Sequence, residues 1–318
     1  MPDATAGAPP LDPRKFRDPL VTAAGERRAQ VALRSLDILW FNTGTLCNLT
    51  CRHCYIESSP KNDRLVYLSA AEVAGYLDEI AALRLGTQLI GFTGGEPFMN
   101  PELPAMLDLV LRRGYRTLVL TNAMKPLHHK KRALLALRAR FGERLQMRVS
   151  LDHYGRAVHE AERGRRTWQP TLDGLLWLAA NGFSPSVASR RLSGESEAEI
   201  RRGFADLFAE LGLAIDADDP EHLTVFPEMD EAADVPEITE ACWGILGKSP
   251  ADVMCSGSRM VVKFKGAPHP TVIACTLLPY DPRFDLGPRL ADALGVVALN
   301  HPHCARFCVL GGGACSRG

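Results

Sequence analysis

The sequence has no excess of charge of either sign: 37 lysines and arginines balance 37 aspartates and glutamates over 318 residues. Proteins that rely on bulk electrostatic attraction to nucleic acid are strongly basic, so no nucleic-acid partner is expected. No apolar run approaches ~20 residues, the length a membrane-spanning helix needs. The N-terminus, with Asp3, Asp12 and several prolines, lacks the basic-then-apolar order of a secretory signal. Together these absences predict a cytoplasmic protein. No histidines stand at His-x3-His spacing with a glutamate, which removes the common zinc-hydrolase motif. Low-complexity tracts are absent too, and there is no repeat beyond the strand–helix alternation described below.

What the sequence does have is nine cysteines in two groups. In a reducing compartment these read as metal ligands more readily than as disulfides. The first group is Cys47, Cys51 and Cys54, with three residues between the first pair and two between the second. A loop that short can turn three thiolates toward one point, which suits a metal ion or a cluster. An iron–sulfur cube takes four cysteines, and no fourth lies nearby, so one iron would keep a position open for chemistry. A structural zinc site with a fourth ligand from elsewhere is the alternative.

The mostly apolar residues 35–41 predict a buried strand delivering this loop at its C-terminal end. A capping-box signature at Ser69 and Glu72 opens a helix that stops near Gly86. Strands follow at about 88–92, 117–120, 147–151, 186–189 and 223–226. Between them the pattern predicts helices starting at Asn100 and Pro101, then over about 126–141, 171–180 and 195–211. Six strands alternating with helices imply an α/β fold with parallel pairing and right-handed crossovers. Either an open doubly wound sheet or a barrel would place functional loops at the C-terminal strand ends. Residues 1–30 read as a flexible or loosely docked lead-in, 31–230 as the α/β unit, and 231–318 as a small cysteine-rich domain. In that last region residues 260–264 and 271–274 predict a hairpin, and the tail containing Cys304, Cys308 and Cys315 reads as glycine-rich loop.

Several strand ends carry polar groups. Thr93, Gly94, Gly95, Glu96 and Pro97 follow the second strand. The paired glycines let backbone approach a ligand closely, and an ionised Glu96 could accept charge-assisted hydrogen bonds from an ammonium. Asn122 ends the third strand between Thr121 and Ala123, Ser150 and Asp152 end the fourth, and Arg190 and Arg191 end the fifth.

The cysteine loop and the Gly-Gly-Glu-Pro turn, in this order and on these elements, resemble the radical S-adenosylmethionine (SAM) superfamily. Its loop pattern is Cys-x3-Cys-x2-Cys, with His53 here at the aromatic position before the third cysteine and Tyr55 after it. The resemblance covers roughly residues 35–230 and implies a partial (β/α)6 barrel. It implies a [4Fe–4S] cluster held by Cys47, Cys51 and Cys54, whose open iron chelates SAM and whose electron releases a 5′-deoxyadenosyl radical. SAM contacts are expected from Tyr55, Thr93, Gly94, Gly95, Glu96, Pro97, Asn122, Ser150, Asp152 and Arg190, with Glu96 at the SAM amino group.

The C-terminal cysteines resemble the auxiliary-cluster domains of the same superfamily, called SPASM when complete and twitch when shortened. Matching features are Cys255, Gly266 before Cys275, and a closely spaced set ending at Cys315. The terminal spacings depart from the full SPASM set, so one auxiliary [4Fe–4S] cluster is expected rather than two. Its ligands are expected among Cys255, Cys275, Cys308 and Cys315, with Cys304 as substitute, Cys242 as an outlier and His301 as an atypical alternative. The resemblance implies a peptide or protein substrate undergoing maturation, or a small molecule in cofactor biosynthesis. It also implies an external electron donor such as a flavodoxin or ferredoxin. A non-catalytic zinc-binding interaction protein is the reading from a different class.

Overall fold

A computed structural model describes residues 9–192, 194–227 and 229–313; Cys315 lies outside the described residues. In chain order the elements are β1 (Gln30–Ala32), β2 (Ile38–Asn42), α1 (Ala70–Leu83), β3 (Leu89–Thr93), α2 (Leu103–Arg112) and β4 (Arg116–Thr121). Then come α3 (Lys125–His128), α4 (Lys131–Phe141), β5 (Leu145–Ser150), α5 (Arg156–Arg163), α6 (Trp168–Ala180), β6 (Ser186–Arg190), α7 (Glu197–Glu210) and β7 (Leu223–Phe226). The chain ends with α8 (Cys242–Leu246), β8 (Ser258–Val262), β9 (Thr271–Ile273), β10 (Val296–Ala298) and a π-helical segment, Cys304–Leu310. Among the described residues no helix is long and apolar enough to cross a membrane.

One eight-stranded sheet runs in the order β7-β6-β5-β4-β3-β2-β8-β9. Its strands are parallel from β7 to β8, and only β9 runs antiparallel. The six predicted strands are β2 to β7, with a helical crossover between each and the next, as the alternation required. Side chains of successive residues point to opposite faces of a strand, and both faces here are buried. Leu39 and Phe41 join the core beneath the helices, whereas Ile38 and Trp40 face the inside of the barrel and the cysteine-rich segment. Trp40 lies opposite Gly91 in the register, and a Cβ at Gly91 would sit 2.2 Å from its ring. Glycine there is what lets an indole fill the interior.

The predicted hairpin forms as β8 and β9, but β8 also adds to the barrel sheet, parallel to β2. The cysteine-rich segment thus closes one side of β2 instead of standing apart. Residues 10–30, expected to be loosely docked, are pinned. Arg28 is buried, pairs with Glu237 at 2.5 Å, and donates to the carbonyls of Asp18, Val21 and Leu299, while β1 pairs with β10. Helix α1 begins with the predicted Ser69–Glu72 capping box. Two further expectations change: the helix foreseen over 126–141 is broken into α3 and α4, and the tail foreseen as loop is helical over Cys304–Leu310.

Candidate active site

The cysteine loop leaves β2 through Thr43 and Gly44. At Gly44, φ is +111° and a Cβ would meet the Tyr67 ring at 2.7 Å. Backbone contacts then fix the loop: the Cys47 amide donates to the Ser59 carbonyl at 3.1 Å, and the Tyr280 hydroxyl donates to the Ile56 carbonyl. Two amides point at sulfur, Leu49 N–H at Cys47 Sγ and Ser58 N–H at Cys54 Sγ, both at 3.4 Å. Such donors favour thiolate and tune a cluster bound to it.

A clamp that the sequence did not reveal holds the other half of the loop. Glu162, in the last turn of α5, accepts from the His53 amide at 2.9 Å and lies 2.7 Å from His53 Nδ1. Its carbonyl accepts from the Arg52 amide at 2.8 Å, and Arg190 bridges its carboxylate to the His53 carbonyl. The next residue, Arg163, is half-buried and ion-pairs with Asp152 at 2.8 Å. Asp152, Cys51 and Cys47 all favour its charged form, holding its pKa above the ordinary value against the cost of burial. A fixed positive charge therefore stands beside the thiols. Burial, with smaller contributions from Glu96 and the other two thiols, pushes the Cys47 thiol up to about 12, so loading a metal there must release its proton.

The Gly-Gly-Glu-Pro turn interlocks with this loop. A Cβ at Gly94 would lie 2.6 Å from the Gly44 carbonyl oxygen, and one at Gly95 would lie 2.3 Å from that of Leu46. Only bare backbone fits, as the paired glycines suggested. Glu96, expected at the SAM amino group, has its partners within the protein. It is buried behind the turn, where its carboxylate accepts from the Thr121 hydroxyl and from the amides of Asn122 and Phe98. Neither Glu96 nor Pro97 lines the cavity that the cysteines face.

Burial raises the Glu96 pKa from 4.5 to about 7 despite those three bonds. The folded state thus binds the proton more tightly than the unfolded one between these values. Glu96 therefore makes stability fall as pH rises from about 4.5 to about 7. In Glu96→Gln the amide nitrogen cannot accept, so a backbone N–H is orphaned, whereas even a protonated carboxyl oxygen still accepts. We expect the variant to lose about 1–3 kcal/mol of stability at pH 5 and the deficit to shrink toward pH 7, measured by denaturant melts. An unchanged melt with lost SAM affinity would return Glu96 to the cofactor.

Cys47, Cys51 and Cys54 open on a cavity of about 160 Å³. Its polar side carries the expected Thr93, Gly94, Gly95, Asn122, Ser150, Asp152 and Arg190, together with Ser58 and Arg163. Arg191, beside Arg190, is exposed and lies outside it. Two buried donors on that side, Ser58 Oγ and Arg190 Nε, have no partner among the described residues, as a wall awaiting a polar ligand would. The opposite side is apolar, with Tyr55, Leu120, Phe226, Met229, Leu277 and Phe307. Three thiols and no fourth cysteine in this lining suit a cube with one open iron, beside donors for a polar cofactor.

Cys255, Cys275, Cys304 and Cys308 line a second, small apolar cavity. Cys304, expected as a substitute ligand, is thus a full member of the set, because the helical turn of Cys304–Leu310 turns both its cysteines inward. Burial pushes the Cys255 and Cys304 thiols up to about 11 and 12, and the buried Arg259 guanidinium donates to the Cys255 carbonyl at 2.6 Å. Cys242 starts α8 and lies outside this lining. His301 does not line it either, although His303 does. His301 instead forms a trio with Glu231 and His303. Its Nδ1 accepts the His303 amide at 3.1 Å, so the neutral ring carries its proton on Nε2, the atom facing Glu231. There it presents a donor, not a metal ligand.

A parallel barrel sheet with three thiols at the end of its first strand, open to a deep two-sided cavity, defines the class of iron–sulfur enzymes that activate a bound cofactor. Residues 41–201 match the model of the Radical SAM superfamily, and the chain belongs to that superfamily. Curated relatives include the antilisterial bacteriocin subtilosin biosynthesis protein AlbA of Bacillus subtilis, 32% identical over 45% of this chain and 30% of AlbA. The GTP 3′,8-cyclase of Rhodococcus opacus is 33% identical over 51% of this chain and 44% of the cyclase. The matches thus span less than half the length of these relatives. Among solved structures, anSMEcpe with bound AdoMet superposes with a TM-score of 0.59 at 13% identity, covering 80% of this chain and 79% of that one. Streptococcus suis SuiB bound to S-adenosylmethionine gives 0.56 at 14% identity, over 79% and 63%. Identities this low speak to the fold alone, and the partial barrel is the fold they share.

Proposed function

We propose that this chain is a SAM-cleaving radical enzyme acting on a peptide, with Cys47, Cys51 and Cys54 holding a [4Fe–4S] cluster and the C-terminal cysteines a second. The observation that carries the reading is the cavity itself: three thiols at one end, a polar wall with unpartnered donors, and an apolar wall facing it. When bound, the cluster supplies the electron that splits the SAM sulfonium into methionine and a 5′-deoxyadenosyl radical. The protein's own work is positioning and the exclusion of water. Glu162 and Arg190 hold the loop, Arg163 offsets thiolate charge, and the Gly94–Gly95 backbone closes the cofactor side. Ser58, Asn122, Ser150 and Arg190 offer polar groups to the cofactor. The apolar wall suits the side chain of a peptide residue.

The peptide assignment draws support from relatives named for such work: AlbA, the mycofactocin maturase MftC of Mycobacterium tuberculosis, and SuiB in its complex with precursor peptide SuiA. Leu277 lines both cavities and Phe307 stands between Cys304 and Cys308 on the wall of the larger one. A second cluster would therefore sit one side chain from the substrate, close enough to accept an electron from it. The test is anaerobic reconstitution with iron and sulfide, then SAM and dithionite, with 5′-deoxyadenosine and methionine quantified by chromatography. Equimolar formation of both is expected. A colourless, zinc-loaded protein that leaves SAM intact would overturn the reading.

A further inference from the structure

Reduction of a cluster at Cys47, Cys51 and Cys54 needs an electron from outside, and the stretch of chain nearest that loop on its outer side is unusually basic. Over the interval from Asp108 to Glu143 the chain has no acidic residue but nine lysines and arginines, although its overall charge is balanced. This interval passes through β4, α3 and α4. Three of its arginines are already committed: Arg112 and Arg140 pair with Asp108, and Arg113 pairs with Asp78. Lys125, Lys130 and Arg132 form no ion pair among the described residues. Asp173, whose field reaches His128, is itself bonded to Gln169 on α6.

Lys125, His129 and Lys130 rim a shallow hollow of about 610 Å³ whose floor is Leu49, Phe98, Met99 and Met124. That floor touches the cysteine loop. Leu49 lines both this outer hollow and the inner cavity. Asn48, beside it, approaches Met124 Sδ at 4.0 Å and accepts at 2.9 Å from the Asn122 amide, which lies 4.0 Å from Cys47 Sγ. A protein seated in the hollow would be separated from the cluster ligand by a single layer of side chains. An apolar floor within a charged rim is the anatomy of a transient protein interface, and methionines let such a floor adapt to its partner.

We propose that this hollow docks the electron donor, an acidic one-electron carrier protein of the flavodoxin or ferredoxin kind. The inference rests on the radical-enzyme reading above. Charge complementarity selects this occupant: a carrier that presents its redox group within a ring of carboxylates matches a basic rim around an apolar centre. The balance is one electron, from a flavin hydroquinone oxidised to its semiquinone, to a cluster reduced by one. No atom is transferred between the proteins.

The experiment uses the full chain and a flavodoxin. Lys125→Glu with Lys130→Glu is compared with the wild type and with Arg202→Glu, which reverses an exposed charge on α7. Binding to the metal-free chain is read by calorimetry at two salt concentrations, and cluster reduction by flavodoxin hydroquinone is read by stopped-flow absorbance. The double variant should bind at least about tenfold more weakly and lose most of the salt dependence, since rim charges act on association. Arg202→Glu should match the wild type, and dithionite should reduce all three proteins alike. Equal binding and equal salt dependence in the double variant would overturn the proposal. So would unchanged carrier binding accompanied by a loss of affinity for nucleic acid or an acidic peptide, which would reassign the face. Failure of dithionite to yield deoxyadenosine in the wild type would instead strike the radical-enzyme reading.

Discussion

Replacing Cys47, Cys51 and Cys54 together with alanine is expected to abolish 5′-deoxyadenosine formation and to leave the fold standing. The expectation comes from what holds the loop. Its anchors are the Cys47 amide on Ser59, the Arg52 and His53 amides on Glu162, and Tyr280 on the Ile56 carbonyl, none of which involves sulfur. The Leu49 and Ser58 amides and the Asn122 side-chain amide lose an acceptor, and all three residues line the open cavity, where water can replace it. The thermal melt of the metal-free variant should therefore stay close to that of the metal-free wild type. Iron should fall from about eight to about four per chain, one cube's worth, with the remainder in the C-terminal site. Chromatography for deoxyadenosine and a colorimetric iron count check both halves. SAM cleavage at the wild-type rate in this variant would sink the assignment of the loop.

The elements legible in the sequence were those whose physics is local. Residues of β2 alternate between two buried faces, the Ser69–Glu72 box is a contact across one helical turn, and Gly94–Gly95 announces close backbone approach by composition alone. Less legible were features settled by tertiary contact. Helix α5 has few apolar residues, and its inward positions are His159, Glu162 and Arg163, so no hydrophobic period marks it. A cue was nonetheless present: α5 lies between the Asp152 strand end and α6, within the βα unit that faces the cysteine loop. The resemblance places Glu96 toward the cofactor, and donors from the neighbouring strand end, Thr121 and Asn122, draw its carboxylate inward. The insertion of β8 beside β2 pairs residues more than two hundred positions apart, and no local pattern encodes such a register. The turn signals that read the tail as loop were real at Gly311 and Gly312, but the seven residues before them coil to bury Phe307 and both cysteines.

That coil decides the second large effect, which concerns Cys304. Residues flanking a hairpin and a glycine run pointed to Cys255, Cys275, Cys308 and Cys315, whereas the described part of the chain gathers Cys255, Cys275, Cys304 and Cys308 around one cavity. A thiol buried in apolar surroundings without a metal is an inert small hydrophobe. Four of them around a single small cavity, beside the buried Arg259, suit the donor set of the one cube proposed here. Cys304→Ala should therefore lower iron from about eight to about four per chain after a brief chelator challenge. Deoxyadenosine formation with dithionite should survive, because the SAM cavity keeps its three thiols, while conversion of the proposed peptide substrate should fail. Cys242→Ala, on α8, should keep all the iron and serves as the control. Retention of about eight irons in Cys304→Ala, together with loss of about four in Cys315→Ala, would move the ligand from the π-helical segment to the end of the chain. Zinc in place of iron at this site would make the segment a structural clamp, and Leu277 and Phe307 would then separate the substrate from an ion that cannot take its electron.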